Sequence, residues 1–118
     1  MQDRFKFRHW DKRINKIFYP ERNDNFGYYV NNSDIIETMQ CTGLKDKNGK
    51  LIYEGDIVQF YYDDFLKTMK IVWDNDEFDF KAIGLKKSVE HYELDFSYLG
   101  GIKKEDSLEV IGNIYENS

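Results

Sequence analysis

Thr42-Gly43-Leu44-Lys45-Asp46-Lys47-Asn48-Gly49-Lys50-Leu51-Ile52-Tyr53-Glu54-Gly55-Asp56-Ile57-Val58 holds two turn signals set around apolar pairs, and its reading decides the fold. Asn48-Gly49 supplies residues that tolerate positive φ, so Asp46 to Lys50 reads as a hairpin tip, either two-residue or with a bulge. Glu54-Gly55-Asp56 reads as a second tight turn. Gly55 takes the strained conformation there, and the Asp56 carboxylate accepts backbone N–H groups as the chain enters the next strand. Asn48, Gly49, Gly55 and Asp56 are therefore the structural turn residues. Beyond them Ile57, Gln59 and Tyr61 share one strand face, and Val58, Phe60 and Tyr62 share the other. Apolar weight on both faces predicts an interior strand rather than an edge.

Working outward, the period is two nearly everywhere. Phe5 and Phe7 alternate with Lys6 and Arg8, and Met69, Ile71 and Trp73 alternate with Lys70 and Val72. Phe78 and Phe80 alternate with Glu77, Asp79 and Lys81, which predicts a strand with one wet acidic face. Asp74-Asn75-Asp76 joins it to the Trp73 strand as a short hairpin. Gly100-Gly101 marks a turn before a last strand, Val110 to Tyr115, that returns to the sheet and closes an edge. No long segment carries a helical stripe. Only Ser33-Asp34-Ile35-Ile36-Glu37 has capping-box spacing, and it reads as a short turn. The expected fold is all-β: an SH3-like small barrel over residues 46–118 with an additional N-terminal β subdomain over residues 1–45. Trp10 and Trp73 are expected inside, and His9 on a strand surface.

Composition narrows the function classes. The 118 residues suit one compact domain, and 17% of them are aromatic, a load that buries large areas and suits pleated surfaces. A net charge of −5 opposes a protein whose main partner is the phosphate backbone, so no nucleic-acid partner is expected. Lys12, Arg13 and Lys16 read as a solvated strand face. The single cysteine, Cys41, excludes a disulfide framework and a multi-cysteine zinc site, and its apolar neighbours mark it as a buried thiol. Met1-Gln2-Asp3-Arg4 lacks the apolar core of a signal peptide, and no run approaches membrane-spanning length, so a cytoplasmic location without membrane contact is expected.

Chemical motifs fail on spacing. Five residues separate Gly43 from Gly49 where a phosphate-binding loop needs four, and Leu51 follows Lys50 where it needs Ser or Thr. A calcium loop starting at Asp74 would need an oxygen ligand, Gly and Glu where Phe78, Asp79 and Leu85 stand. His9 and His91 lie far apart without zinc-spaced neighbours, and no nucleophile elbow is present. No catalytic, cofactor-binding or metal residue is therefore assigned, and an enzyme is not expected. Tyr61 and Tyr62, with the acidic residues Asp74, Asp76, Glu77 and Asp79, remain as candidate interaction residues. Their acidic surroundings favour core packing or a protein interface over stacking on single-stranded nucleic acid.

Together with Phe5-x-Phe7-Arg8-x-Trp10-Asp11-Lys12 and Glu109-Val110-Ile111-Gly112-Asn113-Ile114-Tyr115-Glu116-Asn117, the opening stretch resembles the YopX-like family of phage and prophage proteins across nearly the whole chain. The resemblance implies a small all-β protein carried by phages of Gram-positive bacteria. The joint expectation is a non-enzymatic accessory protein in the host cytoplasm. It would be a protein-interaction module that forms a homo-oligomer and meets an unknown host or phage protein. The alternative is an acidic nucleic-acid mimic that occupies a host DNA-binding protein.

Overall fold

The computed structural model describes residues 6–20, 31–32, 34–62, 65–84, 93–95 and 108–116. Among them run the strands β1 (Phe7–Asp11), β2 (Lys16–Phe18), β3 (Ile36–Lys45), β4 (Leu51–Tyr53), β5 (Asp56–Tyr62), β6 (Phe65–Asp74), β7 (Asp79–Gly84), β8 (Glu93–Asp95) and β9 (Glu109–Asn113). They form one sheet of order β2-β1-β3-β4 and another of order β8-β7-β6-β5-β9. All the ladders are antiparallel, and the five-stranded sheet curls into a half-barrel. The all-β expectation holds. Among the described residues no helix is long and apolar enough to cross a membrane.

The quoted stretch bends twice and irregularly once. The irregularity is a bulge: the β3–β4 ladder runs from Cys41↔Tyr53 to Lys45↔Leu51, four steps on one strand against two on the other. Gly43 takes up the excess at φ 86°, where a side chain would be strained. The Thr42 hydroxyl donates to Ile52 O at 2.8 Å and accepts the Leu44 N–H at 3.1 Å, replacing lost ladder bonds. The tip then turns with Gly49 at φ 79°. Gly55, at φ 88°, turns the chain out of the first sheet and into the second. Its N–H donates to Ile71 O at 2.8 Å, and its carbonyl accepts the Ile114 N–H at 2.9 Å. Asp56 caps this corner, Oδ2 accepting the Tyr53 N–H at 2.7 Å.

β5 lies inside its sheet, between β6 and β9. Val58 and Phe60 are fully buried, whereas Ile57 and Gln59 on the other face are half-buried and Tyr61 is exposed. Ile52 and Leu44 of the first sheet meet Val58, Phe60, Met69, Ile71, Phe80 and Ala82 of the second, with Leu108 and Val110 beside them. Each fully buried side chain of this kind is worth about 1.5–3 kcal/mol. A one-residue slip of β5 would expose Val58 and Phe60 together, so the register is strongly held. The last strand returns as expected, pairing Asp56↔Asn113 and Ile57↔Gly112. A shift to Val58↔Val110 leaves Ile111 unpaired.

Five expectations need correction. Trp10 is buried, but Trp73 is 37% exposed. It stands one residue from the end of β6, still paired with Phe80. Its indole N–H donates to Asn75 Oδ1 at 2.9 Å, and its ring meets Phe80 edge-on at 5.0 Å. Phe78 belongs to the β6–β7 turn rather than to a strand, with φ 54° and 78% exposure. His9 is buried, not superficial, because β1 is interior to its sheet; its Nδ1 lies 2.9 Å from Thr38 Oγ1. Lys12 and Arg13 sit in the β1–β2 turn and only Lys16 on a strand, though all three are solvated. Of the proposed short turn, Asp34 and Ile35 form one and Ile36 and Glu37 already belong to β3. Ser33, Phe5 and Gly100-Gly101 lie outside the described residues.

Candidate functional site

The candidate interaction residues fall at opposite ends of β6. At one end Tyr61 pairs with Leu66 and Tyr62 with Phe65. At the other Asp74 pairs with Asp79 across the turn that carries Asp76 and Glu77. β6 has ten residues, and at about 3.3 Å per residue the two groups stand roughly 30 Å apart. The structure brings each group together internally and keeps the two apart.

The acidic end is occupied with its own architecture. Asp74 Oδ1 accepts the N–H groups of Asp76 at 2.8 Å and Glu77 at 3.1 Å, and Oδ2 lies 2.6 Å from the Lys81 ammonium. Lys81 also stands 3.5 Å from Glu77. Its hydrogen bond, helped by those two N–H groups, holds the Asp74 carboxyl below the usual carboxylate range. Asp79 accepts the N–H of Phe80 at 2.8 Å, so of these carboxylates only Asp76 projects into solvent without a partner among the described residues. Lys81, and Lys47 at 3.6 Å from Glu109, interrupt the described carboxylates. An uninterrupted acidic stripe, which mimicry of a phosphate array requires, is not formed among the described residues.

The other end is apolar. Tyr61, Phe65 and Leu66 are 56%, 66% and 49% exposed on a hairpin held by six paired positions. The Lys67 ammonium sits 5.9 Å from the Phe65 ring centroid. Phe65 and Leu66 stand at this end beside the expected Tyr61-Tyr62 pair and are not among the candidate residues. A strand continued past Asp63-Asp64 places both at the same end of the hairpin, Leu66 on the face of Tyr61 and Phe65 on the other.

Two polar centres also escaped the sequence. One is Asp46, which is buried. Its Oδ1 accepts the N–H groups of Asn48 and Lys50, each at 2.9 Å, and its Oδ2 reaches the N–H of Val110 at 2.9 Å. With the Lys47 N–H donating to Leu108 O at 2.8 Å, the hairpin tip covers one edge of β9, which leaves less of it open to foreign strands. The second centre is Arg8 of β1. Its Nη1 lies 2.8 Å from Asp56 Oδ1, and both side chains are 1% exposed. Its Nη2 donates to Glu54 O at 3.1 Å, its Nε to the Met39 sulfur at 3.3 Å and its Nη1 to the Tyr19 hydroxyl at 3.3 Å. The guanidinium covers the Tyr53 ring at 4.8 Å, and Tyr19 meets that ring edge-on at 5.7 Å. Burial pushes the Asp56 carboxyl up against the pull of Arg8, and burial likewise raises Glu54. Asp56 Oδ1 touches Arg8 off the N–H axis and accepts no aligned hydrogen bond. This buried pair has the marks of a structural clamp.

Two surface clefts flank this centre. One, of about 310 Å³, is lined by Arg8, Tyr19, Gly49, Lys50, Leu51 and Tyr53. The other, of about 380 Å³, is lined by Trp10, Asn15, Tyr115 and Glu116, with Trp10 and Tyr115 stacked at 5.5 Å.

Comparison with known proteins agrees with this architecture. The YopX family, described as "YopX protein", matches residues 19–118. No curated protein matches the chain. Among solved structures, the crystal structure of protein EF1440 from Enterococcus faecalis is similar, with 24% identity and a TM-score of 0.59 over 95% of this chain and 94% of that one. At that identity the likeness is one of fold.

Proposed function

The chain belongs to the YopX family, and from that premise we propose a phage accessory protein that acts through protein contacts rather than catalysis. The observation that carries this reading is the apolar β5–β6 tip, where Tyr61 and Leu66 stand exposed on one face and Phe65 on the other. Large apolar side chains gathered at one end of a hairpin are costly to leave in water and suit a contact surface. The first partner is a second copy of the chain, and the second a host or phage protein. The setting is the host cytoplasm. Nucleic acid is not a partner, because a net charge of −5 repels phosphates. The alternative of an acidic mimic is weaker, since Lys81 and Lys47 interrupt the carboxylates on which it would depend.

Sedimentation at micromolar concentration tests the reading. The wild-type chain should sediment as a species larger than 14.2 kDa. A Tyr61→Ser, Phe65→Ser, Leu66→Ser variant should be monomeric with an unchanged melting temperature. A monomeric wild type, or a variant that associates as the wild type does, would remove the tip as the contact surface.

A further inference from the structure

We propose that the cleft between β1, Tyr19 and the β3–β4 hairpin is a binding site for an oxyanion group, a carboxylate or phosphate, carried on a small apolar body. Its lining is unlike the rest of this acidic chain. Arg8, Tyr19, Gly49, Lys50, Leu51 and Tyr53 include two cations and two phenols but no acidic side chain. The Lys50 ammonium has no ion-pair partner among the described residues, and the Tyr53 hydroxyl no hydrogen-bond partner. The Tyr19 hydroxyl accepts from Arg8 and so keeps its own proton to donate. Among the described residues the site therefore offers donors and positive charge in excess of acceptors. Asp56 faces both cations, paired with Arg8 at 2.8 Å and acting on Lys50 from further off, so one net positive charge remains among the described residues.

The donors are also pre-positioned. Arg8 is held by Met39, Tyr19, Glu54 and Asp56, and it in turn covers the face of Tyr53. For Arg8, Tyr19 and Tyr53 little ordering is left for a ligand to impose, which favours binding, and only the exposed Lys50 side chain has to be ordered. Burial pushes the Tyr53 phenol up to about 12, so it stays a neutral donor at physiological pH. Leu51 and the edges of the two tyrosine rings supply apolar wall. Gly49 forms an open lip, since nothing lies within 4 Å of where its Cβ would stand. A volume of about 310 Å³ is at the small end for ligand pockets and admits a single ring with its anionic group. The second cleft lacks this bias, because Glu116 and the amide of Asn15 offer acceptors there. The proposal does not depend on the apolar tip, which belongs to the other sheet.

The test is an NMR titration of the full-length labelled protein with benzoate, phenyl phosphate and the neutral benzyl alcohol. Saturable shifts at Gly49, Lys50, Leu51 and Tyr53 with either anion, and none with the alcohol, are expected. Benzoate alone would assign a carboxylate site, and phenyl phosphate alone a phosphate site. Lys50→Glu, at an exposed position, should fold normally and bind at least about tenfold more weakly. Tyr19→Phe should weaken binding less, and Lys12→Glu, of equal charge change but outside the cleft, should bind as the wild type. No saturable shift up to about 10 mM, equal shifts with the alcohol, or wild-type binding by Lys50→Glu would overturn the proposal.

Discussion

Arg8 and Asp56 meet at 2.8 Å with both side chains 1% exposed, and each comes from a different sheet. Removing two charges from water costs several kcal/mol per ion, so such a pair adds little net stability over well-packed apolar groups. Its effect is on arrangement. Arg8 also ties down the carbonyl of Glu54, and Asp56 the N–H of Tyr53. The ion pair therefore fixes the corner at which the chain passes between sheets. Either charge alone at that point would be stranded without water.

That asymmetry gives the first prediction. Asp56→Asn keeps an acceptor for Tyr53 but leaves Arg8 buried and unpaired, and should cost about 3–5 kcal/mol. Arg8→Met should cost a similar amount. The double variant should lose clearly less than the sum of the two, because neither charge is then stranded. Urea unfolding of the four proteins measures this, and simple additivity would show that the two charges are not coupled.

The second prediction contrasts two glycines of nearly equal backbone conformation. A Cβ on Gly55 would come within 3.3 Å of Met39 Sδ and Tyr115 Cε2, whereas one on Gly49 would meet nothing within 4 Å. Gly49→Ala should cost only the backbone strain, on the order of 1 kcal/mol. Gly55→Ala should cost more, and Gly55→Val more again, since both neighbours must move. Denaturant midpoints that fall equally for Gly49→Ala and Gly55→Ala would contradict the crowding at the corner.

What the sequence disclosed and what it withheld divide along the range of the interactions. Gly49, Gly55 and Asp56 were legible because turn chemistry acts within a few residues. Val58 and Phe60 were legible because alternation reports a face. Alternation does not report where a strand stops, so it puts Phe78 on a strand that begins only at Asp79 and buries Trp73 next to the exposed end of β6. Nor does it report what lies over a face. Arg8 and His9 looked like ordinary polar strand positions until the second sheet and β3 closed around them. Asn48-Gly49 signalled a tip, but the reach of the Asp46 carboxylate to Val110 spans 64 positions. The candidate residues Tyr61 and Asp74 were grouped by composition, and the length of β6 separates them.

The last prediction concerns pH and follows from His9. Burial lowers the pKa of this imidazole below its usual 6.5, so near that value the unfolded chain binds more protons than the folded one. The resulting stability is fully present above 6.5 and is lost as pH falls through the folded-state value. Glu54 works the other way: burial raises it above its usual 4.5, so its contribution is present below 4.5 and lost as pH rises through its folded-state value. Asp11, held down mainly by Arg13, and Asp74, held down mainly by Lys81, lose their contribution only at more acid pH. A total profile therefore mixes signs, and the difference between two proteins isolates His9. Replacing it with Gln keeps a partner for Thr38 and removes the titration. Between about pH 7 and about pH 5 the wild type should lose stability relative to His9→Gln, by at most about 1.4 kcal/mol per pH unit. Melting curves across that range measure the difference, and parallel profiles would mean that His9 is hydrated enough to protonate in place.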